Sequence, residues 1–145
     1  MSNDNKELTR RIFNEVWNQK KLDLIDELVS PDYIHHDSGT ATLQTGLEGN
    51  KQFVRLFQNA FPDIRFTIQD EISEGDKVVI RWTVTGTHRG DLPDLPTTGK
   101  TISLSGISIA RLKDGKGIES WNNWDGLGMM QQLAGPAAAA KERAA

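Results

Sequence analysis

The spacing of apolar residues changes once along this chain, at Pro62. Before Pro62, apolar residues recur every three or four positions, and Phe53, Phe57 and Phe61 fall four apart. This spacing is typical of helices that bury one face. After Pro62, residues 64–69 alternate between apolar and polar, as in a half-buried strand. Helices followed by a run of strands indicate an α+β fold rather than an alternating α/β fold.

The same patterns place the individual elements. Helices are predicted over residues 6–19, 24–29, 45–61 and 126–134. Strands are predicted over residues 32–36, 64–69, 77–88, 101–112 and 116–125. The Thr45-x-x-Glu48 spacing is that of a capping box, and Asp114-Gly115 is a hairpin signal. Residues 89–100 hold two of the five prolines and are predicted to form a loop that could act as a lid.

The composition indicates a globular chain and argues against nucleic acid as a partner. Of the 145 residues, 37% are apolar and 26% charged, which is enough for one domain with its own core. We expect that domain over residues 1–134 and a flexible tail over residues 135–145. The 17 basic and 20 acidic residues are mixed along the chain, so no basic stripe indicates nucleic acid as a partner.

The chain has no cysteine, which excludes disulfides and thiolate metal sites. Its first residues are too polar for a signal peptide. No apolar run approaches the roughly 20 residues that a membrane-spanning helix needs. We therefore expect a cytoplasmic protein without a membrane partner.

The strand over residues 116–125 carries the densest set of candidate site residues. Because side chains alternate across a strand, Glu119, Trp121, Asn123 and Asp125 share one face. If that face lines a cavity between helices and sheet, burial beside Trp121 would make the Asp125 carboxylate easier to protonate. Such a carboxylate can take a proton from carbon and return it. Asp125 is also well placed to cap the helix that follows it, and the two roles do not exclude each other.

The histidines and one arginine are further candidates. His35 and His36 point to opposite faces of a strand, so at most one faces a cavity. No third ligand stands at a recognised spacing from them, so we predict no metal site. His88 ends a strand, where a structural role and a site role are equally open. Arg111 could pair with a carboxylate or hold a substrate carbonyl.

Several short segments occur together in a characteristic order. Each segment alone is weak evidence for a protein family. They are Pro31-Asp32-Tyr33-Ile34-His35-His36, Gly46-Leu47-Glu48-Gly49, Phe61-Pro62-Asp63, Gly86-Thr87-His88-Arg89-Gly90, Thr97-Thr98-Gly99-Lys100, Asp114-Gly115-Lys116, Glu119-x-Trp121, and Asp125 followed by Gln131-Gln132-Leu133. Over nearly the whole chain this order resembles the SnoaL-like polyketide cyclases, also called ester cyclases, of the nuclear-transport-factor-2-like superfamily.

The resemblance implies a cone-shaped barrel, in which N-terminal helices cover a curved antiparallel sheet, and a homodimer or higher oligomer. It implies that Asp125 is the general acid/base of an aldol cyclisation or isomerisation without metal or cofactor. His36 and Arg111 would assist it; the cyclases place a histidine near the position of Arg111. Residues implied to bind a small apolar carbonyl compound are Trp121, Asn123, His88, Trp17, Phe53 and Phe57.

Two other functions remain open on the same scaffold. The first is a non-catalytic module that binds a small apolar ligand or a protein partner. The second is another reaction, such as cofactor-free hydroxylation or epoxide hydrolysis. Turnover that depends on Asp125 would favour the acid/base enzyme over the binding module.

Overall fold

The computed structural model describes residues 2–37 and 44–135. The chain begins with helix α1 (Ser2–Arg11), which continues as a π-helical segment over Ile12–Asn18. A 3₁₀ turn over Leu22–Leu24 leads into the short helix α2 (Ile25–Leu28). Helix α3 (Gly46–Ala60) and the terminal helix α4 (Gly126–Ala134) complete the helical part. None of the described helices is long and apolar enough to cross a membrane.

Six strands form one curved sheet in the order β2-β1-β6-β5-β4-β3. The strands are β1 (Val29–Asp37), β2 (Gln44–Thr45), β3 (Arg65–Glu74), β4 (Lys77–Thr87), β5 (Thr101–Lys113) and β6 (Lys116–Trp124). Antiparallel pairs join β3 to β4, β4 to β5, and β5 to β6. Strand β1 pairs parallel to β6, and β2 and β3 end the sheet, which is therefore not closed.

The helices cover one face of this sheet. The π-helical segment is tied to the edge strand β3 because the Asn18 side chain exchanges two hydrogen bonds with the backbone of Phe66, at 2.7 and 2.9 Å. Helix α4 is tied to β5 in the same way, since the Gln132 amide bonds both backbone groups of Ser103. Leu133 adds a nearly fully buried contact from α4 to the core.

The predicted α+β class is confirmed, with helices over a curved sheet. Two details differ from the expected antiparallel barrel: the β1–β6 pair is parallel, and the sheet stays open. Strand β1 is also longer than the predicted residues 32–36, and it includes Asp37. The flexible tail predicted from residue 135 falls, from residue 136 onward, outside the described part of the chain.

Candidate functional site

A β-bulge in β6 decides which of its side chains face the helices. Next to the hairpin turn Leu112 pairs with Gly117, but one step further Arg111 pairs with Glu119. Ile118 is therefore an extra residue in β6. Residues directly opposite each other lie on the same face, and a one-residue shift moves the following side chains to the other face. The face of β6 that lines the cavity is set at Ile118.

Beyond the bulge, Ser120, Asn122 and Trp124 face the helices and line a cavity between helices and sheet. The sequence analysis made the binding roles of Trp121 and Asn123 conditional on their face lining the cavity, and in the structure these two side chains lie on the other face. A hairpin continuing in its first register would have put those two residues opposite the buried side chains of β5. The bulge reverses this, so neither lines the cavity.

A row of aromatic rings forms part of the cavity wall. Trp17 lies edge-on to Phe53, with ring centroids 6.2 Å apart, and Phe53 contacts Phe57 at 5.1 Å. Phe57 in turn meets Trp124 edge-on at 6.0 Å. Trp17, Phe53 and Phe57, which sequence analysis assigned to substrate binding, therefore lie together on the wall. Their binding role stays a prediction.

Strand β1 brings three polar side chains into this apolar space. Tyr33, His35 and Asp37 alternate with outward-facing neighbours, as strand geometry requires, and all three line the cavity. The His35 ring also packs against Phe53, with centroids 4.5 Å apart. Sequence analysis had considered His35 but assigned the catalytic role to His36, and it had placed no site role on Tyr33 or Asp37.

His35 and Asp37 form a buried imidazole–carboxylate pair. Nε2 of His35 lies 3.1 Å from Oδ2 of Asp37, and the two side chains are only 8% and 2% exposed. The other carboxylate oxygen of Asp37 accepts a hydrogen bond from Nε1 of Trp124 at 2.7 Å. Two N–H donors thus hold the Asp37 carboxylate in place, and its burial keeps this proton-transferring group away from bulk water.

A chain of hydrogen bonds continues from the other ring nitrogen of His35. The Tyr33 hydroxyl lies 3.2 Å from Nδ1 of His35 and also bonds Ser120. Asn122 donates to Ser120 at 2.9 Å and accepts from Ser108 at 2.7 Å. Burial raises the pKa of the Tyr33 hydroxyl to about 12, with the Asp37 charge acting in the same direction and the Ser120 hydrogen bond opposing it.

The predicted catalytic residues His36 and Arg111 lie together on the opposite face of the sheet. Both bond Glu119, His36 through Nε2 at 2.8 Å and Arg111 through its guanidinium at 2.9 Å. These hydrogen bonds, that from His36 first, hold the pKa of the Glu119 carboxyl below its usual range. Trp121 stacks on His36 with centroids 5.5 Å apart. The structure brings this set together, and of its four residues only Glu119 lines the cavity.

Asp125 also lies apart from the cavity. Its side chain is exposed, and Oδ1 accepts a hydrogen bond from the backbone N–H of Gly128 at 2.8 Å, which makes Asp125 the N-cap of α4. Of the two roles drawn from the sequence, the structure shows the cap. The catalytic role of Asp125 stays a prediction that its position does not support.

His88 is fully buried but does not line the cavity. Its Nδ1 accepts a hydrogen bond from the backbone N–H of Thr98 at 3.1 Å, and its ring contacts Phe61 at 5.4 Å. His88 therefore links Thr98, near the end of the loop over residues 89–100, to Phe61, which directly follows α3. Among the described residues, no group of three or more histidines and carboxylates is placed to hold a metal ion.

The sequence is matched over residues 7–133 by the SnoaL-like polyketide cyclase family. The chain belongs to this family. The resemblance inferred from the ordered segments of the sequence is thereby confirmed.

Two relatives in the SnoaL-like family have named activities. The chain is 28% identical to nogalonic acid methyl ester cyclase of Streptomyces nogalater over 122 residues, which is 83% of this chain and 90% of that protein. It is 30% identical to aklanonic acid methyl ester cyclase of Streptomyces peucetius over 135 residues, 90% of each chain.

Solved structures show the same SnoaL-like fold. A Jannaschia sp. CCS1 protein named for the SnoaL-like polyketide cyclases superposes with a TM-score of 0.86 at 24% identity, covering 93% of this chain and 94% of that one. TsrD of Streptomyces laurentii superposes with a TM-score of 0.82 at 26% identity, covering 92% and 97%. These similarities establish the family and the fold, while the roles of individual cavity residues rest on geometry.

Proposed function

We propose that this chain is a cyclase that uses only its own side chains, and that the His35–Asp37 pair carries out its acid/base chemistry. The observation that carries the proposal is the position of the pair: it is a buried imidazole–carboxylate contact on a cavity wall built mainly from aromatic and aliphatic side chains. Such a wall suits a mainly apolar carbonyl compound. The proposed substrate class is the polyketide methyl ester, after the names of the two relatives.

The proposed reaction is an intramolecular ring closure that leaves the atom count unchanged. The pair removes a proton from the carbon next to a carbonyl group, and the electrons of that C–H bond form an enolate. The enolate carbon then attacks a second carbonyl carbon of the same molecule, which makes one C–C bond. The oxygen of the attacked carbonyl takes back a proton from the pair, so the pair ends as it began.

The cavity assists this reaction in two ways. Trp124 and His35 each direct an N–H group at one oxygen of Asp37, so the carboxylate is held in one orientation on the cavity wall. The aromatic wall of Phe53 and Phe57 holds the substrate against the pair and excludes water. General acid/base catalysis of this kind contributes about 10²–10⁴-fold in rate.

The first test follows the proton at carbon rather than the complete ring closure. Aklanonic acid methyl ester and nogalonic acid methyl ester are incubated in D₂O, and deuterium incorporation next to the carbonyl is measured by mass spectrometry. We expect the wild type to accelerate incorporation over buffer, and Asp37→Asn to lose at least about 100-fold of that acceleration. The Asn side chain keeps the shape of Asp37 and its contact with Trp124.

Binding is measured in parallel by quenching of tryptophan fluorescence. Tight binding of either ester without deuterium incorporation by the wild type would favour the non-catalytic binding module. Incorporation that Asp37→Asn leaves intact would refute the proposed role of the pair.

A further inference from the structure

The hydrogen-bond chain in the cavity has a starting point that fixes its direction. The indole N–H of Trp82 can only donate, and it lies 3.0 Å from Oγ of Ser108. Ser108 must therefore accept there. Its own hydroxyl proton is then directed at Oδ1 of Asn122, 2.7 Å away.

The amide of Asn122 is held in one orientation by a second, independent contact. Its other terminal atom lies 3.0 Å from the backbone carbonyl oxygen of His36, which can only accept. That atom is therefore the amide nitrogen, in agreement with the orientation set by Ser108. The second N–H of the same nitrogen points to Oγ of Ser120, at 2.9 Å.

The direction then passes through Ser120 and Tyr33 to the histidine. Ser120 can accept from both Asn122 and Tyr33, so this contact alone does not fix a direction; when the two hydroxyl protons fill the two remaining contacts, Ser120 donates to the Tyr33 oxygen. Tyr33, in turn, directs its hydroxyl proton at Nδ1 of His35, 3.2 Å away. Nδ1 of His35 is therefore an acceptor, occupied by the tyrosine.

The opposite end of the chain requires the same arrangement. A carboxylate only accepts, so the 3.1 Å contact between His35 and Asp37 places a proton on Nε2 of His35. Trp124, whose indole also only donates, approaches the second oxygen of Asp37. Among the described residues, the chain from Trp82 and the hydrogen bond from Trp124 thus both lead to Asp37, and the bond from Asn122 to the His36 carbonyl is a side branch.

We propose that within this pair Asp37 is the proton acceptor and His35 is the donor that orients it, because the chain that starts at Trp82 locks His35 as the Nε2–H tautomer. This inference rests on the proposed function for its catalytic part. The lone pair of Nδ1 is engaged by Tyr33, while Asp37 carries lone pairs at the point where both donor series converge. Trp82, Ser108 and Asn122 are then positioning residues for the tautomer.

The tautomer is tested without any substrate. Two-bond ¹H–¹⁵N correlation spectra of protein labelled at histidine distinguish an Nε2–H ring from an Nδ1–H ring by their peak patterns. The chain has three histidines, and the signals absent in His35→Gln belong to His35. We expect the Nε2–H pattern at neutral pH. An Nδ1–H pattern, or a doubly protonated ring, would overturn the inference.

The division of roles is tested by a matched pair of variants. The glutamine of His35→Gln can still direct an N–H at Asp37 but cannot act as a base, whereas His35→Leu offers neither. We expect His35→Gln to keep deuterium incorporation within about tenfold of the wild type, and His35→Leu to lose about 100-fold. Thermal unfolding of both variants shows whether they are folded at the assay temperature.

The outcomes separate this inference from the proposed function. If His35→Gln loses as much activity as Asp37→Asn, the imidazole is the base: the inference fails and the proposed function stands. If the tautomer is Nε2–H but no variant of the pair changes deuterium incorporation, the proposed function fails and the one-way chain remains only a structural feature.

Discussion

Tyr33 offers a direct measure of how strongly the cavity excludes water. Burial, together with the Asp37 charge, raises the pKa of its hydroxyl from 10.0 to about 12, against the opposing hydrogen bond from Ser120. It is the only tyrosine in the sequence. The near-ultraviolet absorbance of tyrosinate therefore reports this one group without any need for assignment.

The raised pKa has a consequence for stability, and its sign is fixed. Between pH 10 and pH 12 the unfolded chain loses the Tyr33 proton while the folded chain keeps it, so the free energy of unfolding falls as pH rises. A difference of two pKa units corresponds to about 2.7 kcal/mol. The contribution is fully present below about pH 10 and is lost as pH rises through about 12.

The assay compares wild type with Tyr33→Phe, which removes the titrating group but leaves every lysine in place. Urea unfolding is followed by circular dichroism at several pH values, and tyrosinate absorbance is titrated in the folded and the denaturant-unfolded wild type. We expect the wild type to lose about 2.7 kcal/mol more than Tyr33→Phe across this interval. Ionisation of Tyr33 at its ordinary pKa while the protein is still folded would refute the reasoning.

Three further predictions concern other parts of the fold. In Gly106→Ala, the new Cβ would lie 2.4 Å from the Trp82 ring, so we expect a loss of about 1–3 kcal/mol of stability in urea unfolding; unchanged stability would contradict this close approach. In Asp125→Ala, the carboxylate that accepts a hydrogen bond from the Gly128 N–H is lost, so we expect the free energy of unfolding to fall by about 1 kcal/mol in the same assay. An unchanged free energy of unfolding would mean that the cap contributes nothing. The expected homodimer should use the outer face of the sheet, where Ile107 is 49% exposed. Light scattering should therefore find a dimer for the wild type and a monomer for Ile107→Asp. A monomeric wild type would contradict this prediction.

The sequence carried enough information for the main elements of the fold. The four-residue spacing of Phe53, Phe57 and Phe61 predicted the helix that became α3, and the alternation after Pro62 predicted the strands. These patterns succeed because they record which face of each element is buried. Details that depend on pairing between strands, such as the parallel contact of β1 with β6, leave no such local record.

The aromatic residues Trp17, Phe53 and Phe57 were assigned correctly to the cavity, but its polar residues were missed for two physical reasons. The extra residue Ile118 reverses the face of β6, and nothing in the local alternation marks it. The predicted limit of the first strand at His36 also left Asp37 outside it. The spacing of Tyr33, His35 and Asp37, two residues apart along a strand, was a usable signal, because it places three hydrogen-bonding groups on one face.

The most direct test of the central claim compares two aspartates on one substrate. Ring closure of aklanonic acid methyl ester is followed chromatographically with wild type, Asp37→Asn and Asp125→Asn, after thermal unfolding has shown that both variants are folded. The account predicts that Asp37→Asn lowers kcat by at least about 100-fold, while Asp125→Asn turns over the ester at the wild-type rate. The reverse order, with Asp125 essential and Asp37 dispensable, would contradict a cavity-based acid/base pair and would place the chemistry at the start of α4.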